Sequence, residues 1–256
     1  MVSSLLPDLY LDLLKRALTD TLYAREPDLE ADSPSRFWLG FIEHYIKGGA
    51  VSMLPVVRFD NLKACIRDVI ERDVPGDFIE TGVWRGGATI FMRGALEAYG
   101  DKTRNVWVAD SFEGFPEPDP EKYPRESKAF HGDMQTKVLN HLAVSDEDVR
   151  RNFSAFGLLD DRVKFLKGWF KDTLPVAPIE RLAILRLDGD YYESTMDALT
   201  TLYDKLSSGG YVIIDDYGEE TWTYCKKAVE DFRASRAIDA PLVRVDSGCY
   251  YWQRVR

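Results

Sequence analysis

Residues 78–87 read FIETGVWRGG, a short apolar run followed by an acidic residue and a glycine-rich turn. The first residues predict a buried strand and residues 88–99 continue with a helical pattern, so the stretch reads strand, turn, helix. Glycines at such a turn let the backbone approach a ligand closely. Gly82 and Gly86 are four residues apart, which is not the GxGxxG spacing of dinucleotide-binding turns. The stretch therefore predicts a ligand-binding turn of another kind, the alternative being an ordinary strand-to-helix connection.

Short apolar runs and helical patterns alternate from this turn to residue 214, which is typical of a parallel sheet with helices on both faces. Two final apolar runs flank Asp246-Ser247-Gly248 and predict a hairpin. We therefore expect an α/β fold, a Rossmann-like doubly wound sheet with a C-terminal antiparallel hairpin, which is more like a methyltransferase than a hydride-transfer domain. The predicted strands are Phe78–Ile79, Val106–Ala109, Val163–Leu166, Leu182–Leu187, Tyr211–Ile214, Leu242–Val245 and Cys249–Trp252.

The segment before the sheet has helical periodicity. We predict helices at 10–18, 37–46 and 62–70 and a loop at 25–36. The apolar face of the first helix is predicted from Tyr10, Leu13, Leu14, Ala17 and Leu18, and that of the last from Leu62, Cys65, Ile66, Val69 and Ile70.

The chain is divided accordingly into residues 1–72, an N-terminal helical extension, and residues 73–256, the main domain. Within the main domain, residues 113–141 are polar and rich in proline and charge. A segment of that length in a compact domain favours a lid, and it begins where a strand ends. We predict that it covers the ligand site.

Composition restricts the partners of the chain. Its 256 residues include 33 Lys and Arg against 43 Asp and Glu, a formal charge of −10. This argues against nucleic acid or an anionic membrane as the main partner, because both require a basic face. Three cysteines, widely spaced and without a CxxC pair, exclude a disulfide framework and a thiolate zinc site. With no apolar run of about 18–20 residues and no signal-peptide pattern, we expect a cytoplasmic protein.

The acidic residue of the glycine-rich turn indicates the charge of the ligand. Glu80 stands at the carboxyl end of a predicted strand, where it would repel a pyrophosphate and stabilise a cation. S-adenosylmethionine, which carries an ammonium and a sulfonium, fits such a site. Asp110 ends the next strand and can accept hydrogen bonds from both ribose hydroxyls. Trp169 is a candidate for stacking on the adenine, with core packing as the alternative.

Three further carboxylates follow two later strands. Asp188 ends one strand, and Asp215 and Asp216 end another, so all three are expected at the same edge of the sheet. Unpaired carboxylates would repel one another there, which predicts a cation, and oxygen ligands favour Mg²⁺. The alternative is that Asp188 caps the following helix and that the other two form a turn.

Five ordered motifs resemble the macrocin O-methyltransferase family, whose members methylate sugar hydroxyls of antibiotics and related natural products. The likeness runs from about Leu9 to Trp252 and includes the opening at residues 10–14. The motifs are Glu80–Gly87, Val108–Phe112, Gly168–Thr173, Arg186–Asp190 and Ile213–Tyr217.

This resemblance implies a class I methyltransferase that depends on S-adenosylmethionine and Mg²⁺ and forms a homo-oligomer through its N-terminal helices. It implies that Asp188, Asp215 and Asp216 hold the metal and that Asp188 is also the base. The cofactor would contact Ser52, Met53, Glu80, Thr81, Gly82, Gly86, Asp110, Ser111, Gly168, Trp169 and Asp188. Residues 217–224 and the lid depart from the family pattern, which leaves the acceptor open.

The predicted reaction is methyl transfer to a sugar hydroxyl of a glycosylated natural product in antibiotic biosynthesis, with Asp188 accepting the proton. Two alternatives stay open. One is a catechol- or caffeoyl-type O-methyltransferase, which uses a similar metal and acid arrangement. The other is a non-catalytic scaffold that binds the cofactor, against which the five intact carboxylates argue.

Overall fold

The computed structural model describes residues 5–23, 42–132, 139–218 and 223–255. Its α-helices include α1 (Leu5–Leu18), α2 (Val56–Glu71), α3 (Gly87–Ala98), α4 (Pro124–Phe130), α5 (Asp146–Ala155), α6 (Phe170–Thr173), α7 (Tyr192–Leu202) and α8 (Thr223–Ser235). The strands are β1 (Asp77–Thr81), β2 (Val106–Asp110), β3 (Val163–Lys167), β4 (Leu182–Leu187), β5 (Leu206–Ile214), β6 (Val243–Arg244) and β7 (Tyr250–Gln253). Ile42–Ile46 forms a π-helical turn and Tyr203–Lys205 a 3₁₀ turn.

The strands form one sheet in the order β3-β2-β1-β4-β5-β7-β6. Strands β1 to β5 are parallel to one another, whereas β7 is antiparallel to both β5 and β6. This confirms the predicted doubly wound sheet with a C-terminal antiparallel hairpin. The strand order reverses between β1 and β4, and ligands of such folds bind outside the carboxyl ends of the strands at that point.

Hydrophobic cores cover both faces of the sheet. On one face, buried residues of α1, α2, α3 and α5 pack against the strands in one continuous cluster, so the N-terminal helices share the core of the sheet. On the other face, α7 and α8 form the core together with Trp252 of β7. No helix among the described residues is both long and apolar enough to cross a bilayer.

The apolar face predicted for α1 is confirmed for Leu14 and Leu18 and wrong for Leu13 and Tyr10. The helix buries Leu11, Leu14, Lys15 and Leu18, whereas Leu13 is 54% exposed. The buried face of α1 differs from the predicted one because it includes Lys15, which forms ion pairs with aspartates, among them Asp60 of α2. A lysine buried by pairing cannot be recognised from apolar periodicity. Tyr10 and Ala17, also assigned to the inner face, are exposed and half-buried, respectively.

The other predicted helices have mixed outcomes. The stripe on α2 is confirmed, with Leu62, Cys65, Ile66 and Val69 buried. The loop at 25–36 and the first residues of the helix at 37–46 lie outside the described residues. The described part of the segment 113–141 contains α4 rather than loop alone.

Candidate active site

A cavity of about 360 Å³ lies at the switch point between β1 and β4. Its wall is formed by the turns after β1, β3 and β4, by the segment after β2 and by the start of α7. The lining residues include Met53, Gly82, Trp84, Asp110, Ser111, Gly114, Phe115, Glu117, Trp169, Lys171, Asp188, Asp190, Glu193 and Asp197. Residues 114–117, within the predicted lid, thus border the cavity.

The glycine-rich turn brings the ends of β1 and β4 together. Gly82 has a φ of +87°, and a Cβ atom built on it would lie 1.8 Å from the carbonyl oxygen of Asp188. Because any other residue would collide there, glycine is required for this approach. The backbone N–H of Asp188 in turn donates to the carbonyl of Thr81 at 2.9 Å. The motif therefore places Asp188 directly beside the turn.

Asp110 is fixed at the end of β2 by backbone donors. Its Oδ2 accepts a hydrogen bond from the N–H of Val83 at 2.7 Å, and its Oδ1 from the N–H of Phe112 at 2.8 Å. Burial raises the pKa of Asp110, and these hydrogen bonds oppose the rise. The Ser111 hydroxyl also donates to Oδ1, at 3.4 Å, whereas Oδ2 faces fewer donors and can accept from hydroxyl groups of a ligand in the cavity.

Glu80 does not face the cavity. Its side chain is buried and pairs with the guanidinium of Arg186, which donates to Oε1, while Oε2 has no hydrogen-bond partner within the described residues. Burial raises the pKa of Glu80, and the guanidinium of Arg186 opposes the rise and favours the ionised carboxylate. The prediction that a bound cation balances this carboxylate is therefore corrected in part, because the chain supplies a counter-charge of its own.

The three predicted metal ligands converge. Asp188, Asp215 and Asp216 each offer one carboxylate oxygen, and these oxygens lie within 4.8 Å of one another. The sequence predicts that these carboxylates are unpaired, but two of them are bound by arginines. Arg186 donates to Asp188 Oδ2 at 2.7 Å and to Asp215, and Arg58 donates to Asp215 Oδ2 at 2.6 Å.

One oxygen of the cluster remains without a partner. Asp216 Oδ2 is buried and has no hydrogen-bond partner in the described structure. Burial raises the pKa of Asp216 well above its ordinary value, and the charges of Asp190 and Asp188 raise it further. A buried orphan oxygen beside two further carboxylates, with oxygen donors alone, fits a hard divalent cation such as Mg²⁺.

The structure rejects the capping alternative for Asp188. Helix α7 begins after Tyr191, which makes no side-chain cap. The N–H of Tyr192 is instead bonded by Glu126 Oε1 at 3.0 Å. Asp188 is consequently available to the cavity, where burial and the charge of Asp215 raise its pKa to about 6.

The other predicted cofactor residues differ in position. Met53, Ser111 and Trp169 line the cavity. Ser52 does not, because its hydroxyl accepts from the N–H of Leu54 at 3.2 Å and its side chain is buried. Three further residues also lie behind the wall, where they shape the turns: Thr81, Gly86 and Gly168.

Two arginines of the site were missed by sequence reasoning. Arg186 had a signal, because a charged residue in the buried run LAILRL of β4 requires a charged partner. Arg58 had none, since it lies on α2 and meets Asp215 across 157 residues of chain.

Comparison with known proteins shows the family that the chain resembles. The profile of the macrocin O-methyltransferase family (TylF) matches residues 46–254. Demethyldecarbamoylnovobiocin O-methyltransferase of Streptomyces niveus is 48% identical over 97% of this chain and 94% of its own. The 8-demethyl-8-(2,3-dimethoxy-alpha-L-rhamnosyl)-tetracenomycin-C 4'-O-methyltransferase of Streptomyces olivaceus is 47% identical over 96% and 92%.

A solved structure shows the same fold. That of the O-methyltransferase NovP superimposes with a TM-score of 0.84 at 46% identity and covers 98% of this chain and 100% of its own. The class I methyltransferase fold and the O-methyltransferase class predicted from the five motifs are thereby confirmed. The extent of the family match and the identity to these relatives show that the chain belongs to the macrocin O-methyltransferase family.

Proposed function

We propose that this chain transfers the methyl group of S-adenosylmethionine to a sugar hydroxyl of a glycosylated natural product, with Mg²⁺ as the metal. The observation that carries the proposal is the convergence of Asp188, Asp215 and Asp216 beside the glycine-rich turn. A methyl donor and a hydroxyl acceptor bound in this cavity would meet next to carboxylates able to hold a cation and accept a proton.

The cofactor is assigned to the side of the cavity formed by the turns after β1, β2 and β3. Asp110 keeps acceptor capacity for the ribose hydroxyls, and Trp169 offers a ring for the adenine. Met53 lines the cavity near the glycine-rich turn. Glu80 lies behind the wall of the cavity, where it forms an ion pair with Arg186.

The metal is assigned to the carboxylate cluster. When bound, Mg²⁺ would supply Lewis acidity toward the acceptor hydroxyl and help to orient it. Asp188 is the residue placed to take the proton as the hydroxyl oxygen attacks the methyl carbon and the carbon–sulfur bond breaks. Burial and the charge of Asp215 raise its pKa to about 6 in the absence of a cation, and a bound cation would lower this pKa, so Asp188 is ionised near neutral pH and able to accept a proton.

A sugar acceptor is supported by the activities for which the relatives are named, one of which is the methylation of a rhamnosyl 4'-oxygen. The test is a panel assay with S-adenosylmethionine and Mg²⁺ in which glycosides, the corresponding aglycones and a simple catechol compete, and products are identified by mass spectrometry. We expect methylated glycoside alone. Turnover of the catechol in preference to every glycoside would favour the catechol-type reading instead.

We further propose that residues 1–72 serve as an oligomerisation and cofactor-covering extension of the domain formed by residues 73–256, with residues 113–141 as its lid. Helix α1 leaves an apolar face exposed, with Leu6 71% and Leu9 55% accessible, which supports a homo-oligomer. Sedimentation of Leu9→Glu, with exposed Val176→Glu as control, tests this: only the α1 change should lower the assembly state.

The cytoplasm is the compartment we propose for this enzyme. It is supported by three buried cysteines, Cys65, Cys225 and Cys249, none of which forms a disulfide. Fractionation of the producing cells would test this, and recovery of the enzyme outside the cytoplasmic fraction would contradict it.

A further inference from the structure

One guanidinium contacts carboxylates on both sides of the site. Arg186 Nη1 donates to Glu80 at the end of β1 and, at 2.7 Å, to Asp188 Oδ2 after β4. Its Nη2 donates to Asp215 Oδ1 after β5. A single side chain in the middle strand therefore joins the ends of three adjacent strands.

These contacts are made away from solvent. Arg186 is 1% exposed and Glu80 is 2% exposed. A charge buried to this degree needs partners of opposite charge. Removing one partner of a buried ion pair lowers the stability of the fold far more than removing one partner of an exposed pair. The planar fork of arginine can serve several carboxylates at fixed angles, which the single ammonium of lysine cannot do.

Arg58 supports the same cluster from outside the sheet. It donates to the second oxygen of Asp215 at 2.6 Å and binds Asp246 of the C-terminal hairpin, at 2.6 Å from its Nε. The charge of Arg58 also favours the ionised form of Asp188, which places Arg58 on the cation side of the cluster. The two arginines thus share Asp215, and Arg186 also donates to Glu80 at the end of β1.

We propose that Arg186 is a positioning residue that ties the cofactor-side carboxylate Glu80 to the cation-side carboxylates Asp188 and Asp215. The inference rests on the proposed function, since it assigns the two sides to a cofactor and a cation. Arg186 holds the site together before either ligand binds. It also competes with the cation for Asp188 and Asp215, because they share the same carboxylates.

Two consequences separate this role from ordinary stabilisation. Without Arg186, Glu80 loses its fixed partner and the turn beside it loosens, so the cofactor side is impaired even where no metal is present. The cation cluster, in contrast, loses a competing positive charge, so the affinity for a divalent cation rises. A residue that merely stabilised the core would move neither ligand affinity selectively.

The first measurement is calorimetry with S-adenosylhomocysteine, the demethylated cofactor, in buffer containing a chelator. We expect Arg186→Met to weaken binding about tenfold or more and Arg58→Met to change it much less. Failure of the unaltered chain to bind would contradict the proposed function itself. Binding by the unaltered chain together with equal binding by Arg186→Met would overturn only the present inference.

The second measurement is thermal unfolding with and without Mg²⁺. Arg186→Met should lower the midpoint in metal-free buffer, and Mg²⁺ should raise the midpoint of this variant more than that of the unaltered chain. The matched control is Arg93→Met, because Arg93 is equally buried on α3 and pairs with Glu97 and Asp160. Equal Mg²⁺ shifts in all three proteins would overturn the proposal.

A second variant guards against loss of folding. Arg186→Met combined with Glu80→Gln removes the carboxylate that would otherwise be left charged and buried without a partner. Calorimetry with Mg²⁺ alone on this double variant should show about tenfold or more tighter binding than in the unaltered chain. Weaker or unchanged Mg²⁺ binding in the folded double variant would also overturn the proposal.

Discussion

Glu126 Oε1 accepts a hydrogen bond from the backbone N–H of Tyr192 at 3.0 Å, which joins the lid segment to the first turn of α7. Tyr123 stacks on the ring of Tyr192 at 5.4 Å in the same contact, and Phe115 lies 4.9 Å from the ring of Tyr191. A carboxylate at the N-terminus of a helix is a favourable cap. The lid segment is therefore attached to the helix that follows the Asp188 turn.

This contact predicts a pH dependence of stability. Burial, with a further contribution from the charge of Glu193, raises the pKa of Glu126 from 4.5 to about 7. A raised carboxyl pKa gives stability that is present below pH 4.5 and lost as the pH rises through about 7. Glu126→Gln keeps the acceptor and stays neutral, so its melting midpoint should exceed that of the unaltered chain at about pH 8 and match it near pH 5.

The size of that difference can be anticipated. In a chain of this length each kcal/mol moves the midpoint by about 2–4 °C, so a shift of a few degrees is expected. Glu121→Gln, an exposed change in the same segment, serves as control. A constant difference between Glu126→Gln and the unaltered chain across the pH range would show that Glu126 does not titrate there.

Asp188→Asn should keep the fold and remove most turnover. The amide retains the size of the side chain but cannot take a proton, and general-base catalysis contributes about 100-fold or more. We expect kcat to fall by that factor in saturating Mg²⁺, with binding of S-adenosylhomocysteine largely retained. A variant with kcat near that of the unaltered chain would exclude Asp188 as the base.

Gly82→Ala should destabilise the chain and impair cofactor binding. The added methyl would lie 1.8 Å from the Asp188 carbonyl oxygen in addition to the cost of a positive φ. Gly100→Ala is a matched control, because Gly100 also has a positive φ, of +76°, but its Cβ would meet nothing within 4 Å. Denaturant unfolding should show that the free energy of unfolding falls by about 1–3 kcal/mol at most in Gly100→Ala and clearly more in Gly82→Ala.

The sequence was most informative where neighbours along the chain define the structure. Strands β1 and β4 were predicted from their apolar runs, and the glycines after β1 identified the turn. Strand β5 begins at Leu206 rather than Tyr211, because Leu206 pairs with Leu182 of β4 although polar residues and glycines follow it. Such pairing overrides a local preference for loop.

The counter-charges of the site could not be derived in the same way. Three aspartates at strand ends were recognised as a cluster, but their partner Arg58 approaches from a helix far away in the chain. Arg186 was visible within its motif, yet which carboxylates it serves depends on the sheet order that brings Glu80 beside it. Whether such carboxylates have a partner of opposite charge depends on tertiary contacts and not on residue type.

Removal of the divalent cation should abolish turnover, and the carboxylate most suited to test this is Asp216. Its Oδ2 is buried without a hydrogen-bond partner in the described structure, so Asp216→Asn removes a candidate metal ligand without breaking a hydrogen bond of that oxygen there. We expect chelation to eliminate activity, added Mg²⁺ to restore it, and Asp216→Asn to bind Mg²⁺ about tenfold or more weakly in calorimetry. Asp161→Asn, at an exposed position before β3, should leave Mg²⁺ affinity unchanged. Full turnover in the presence of excess chelator would show that the reaction needs no divalent cation, and unaltered Mg²⁺ affinity in Asp216→Asn would exclude Asp216 as a metal ligand.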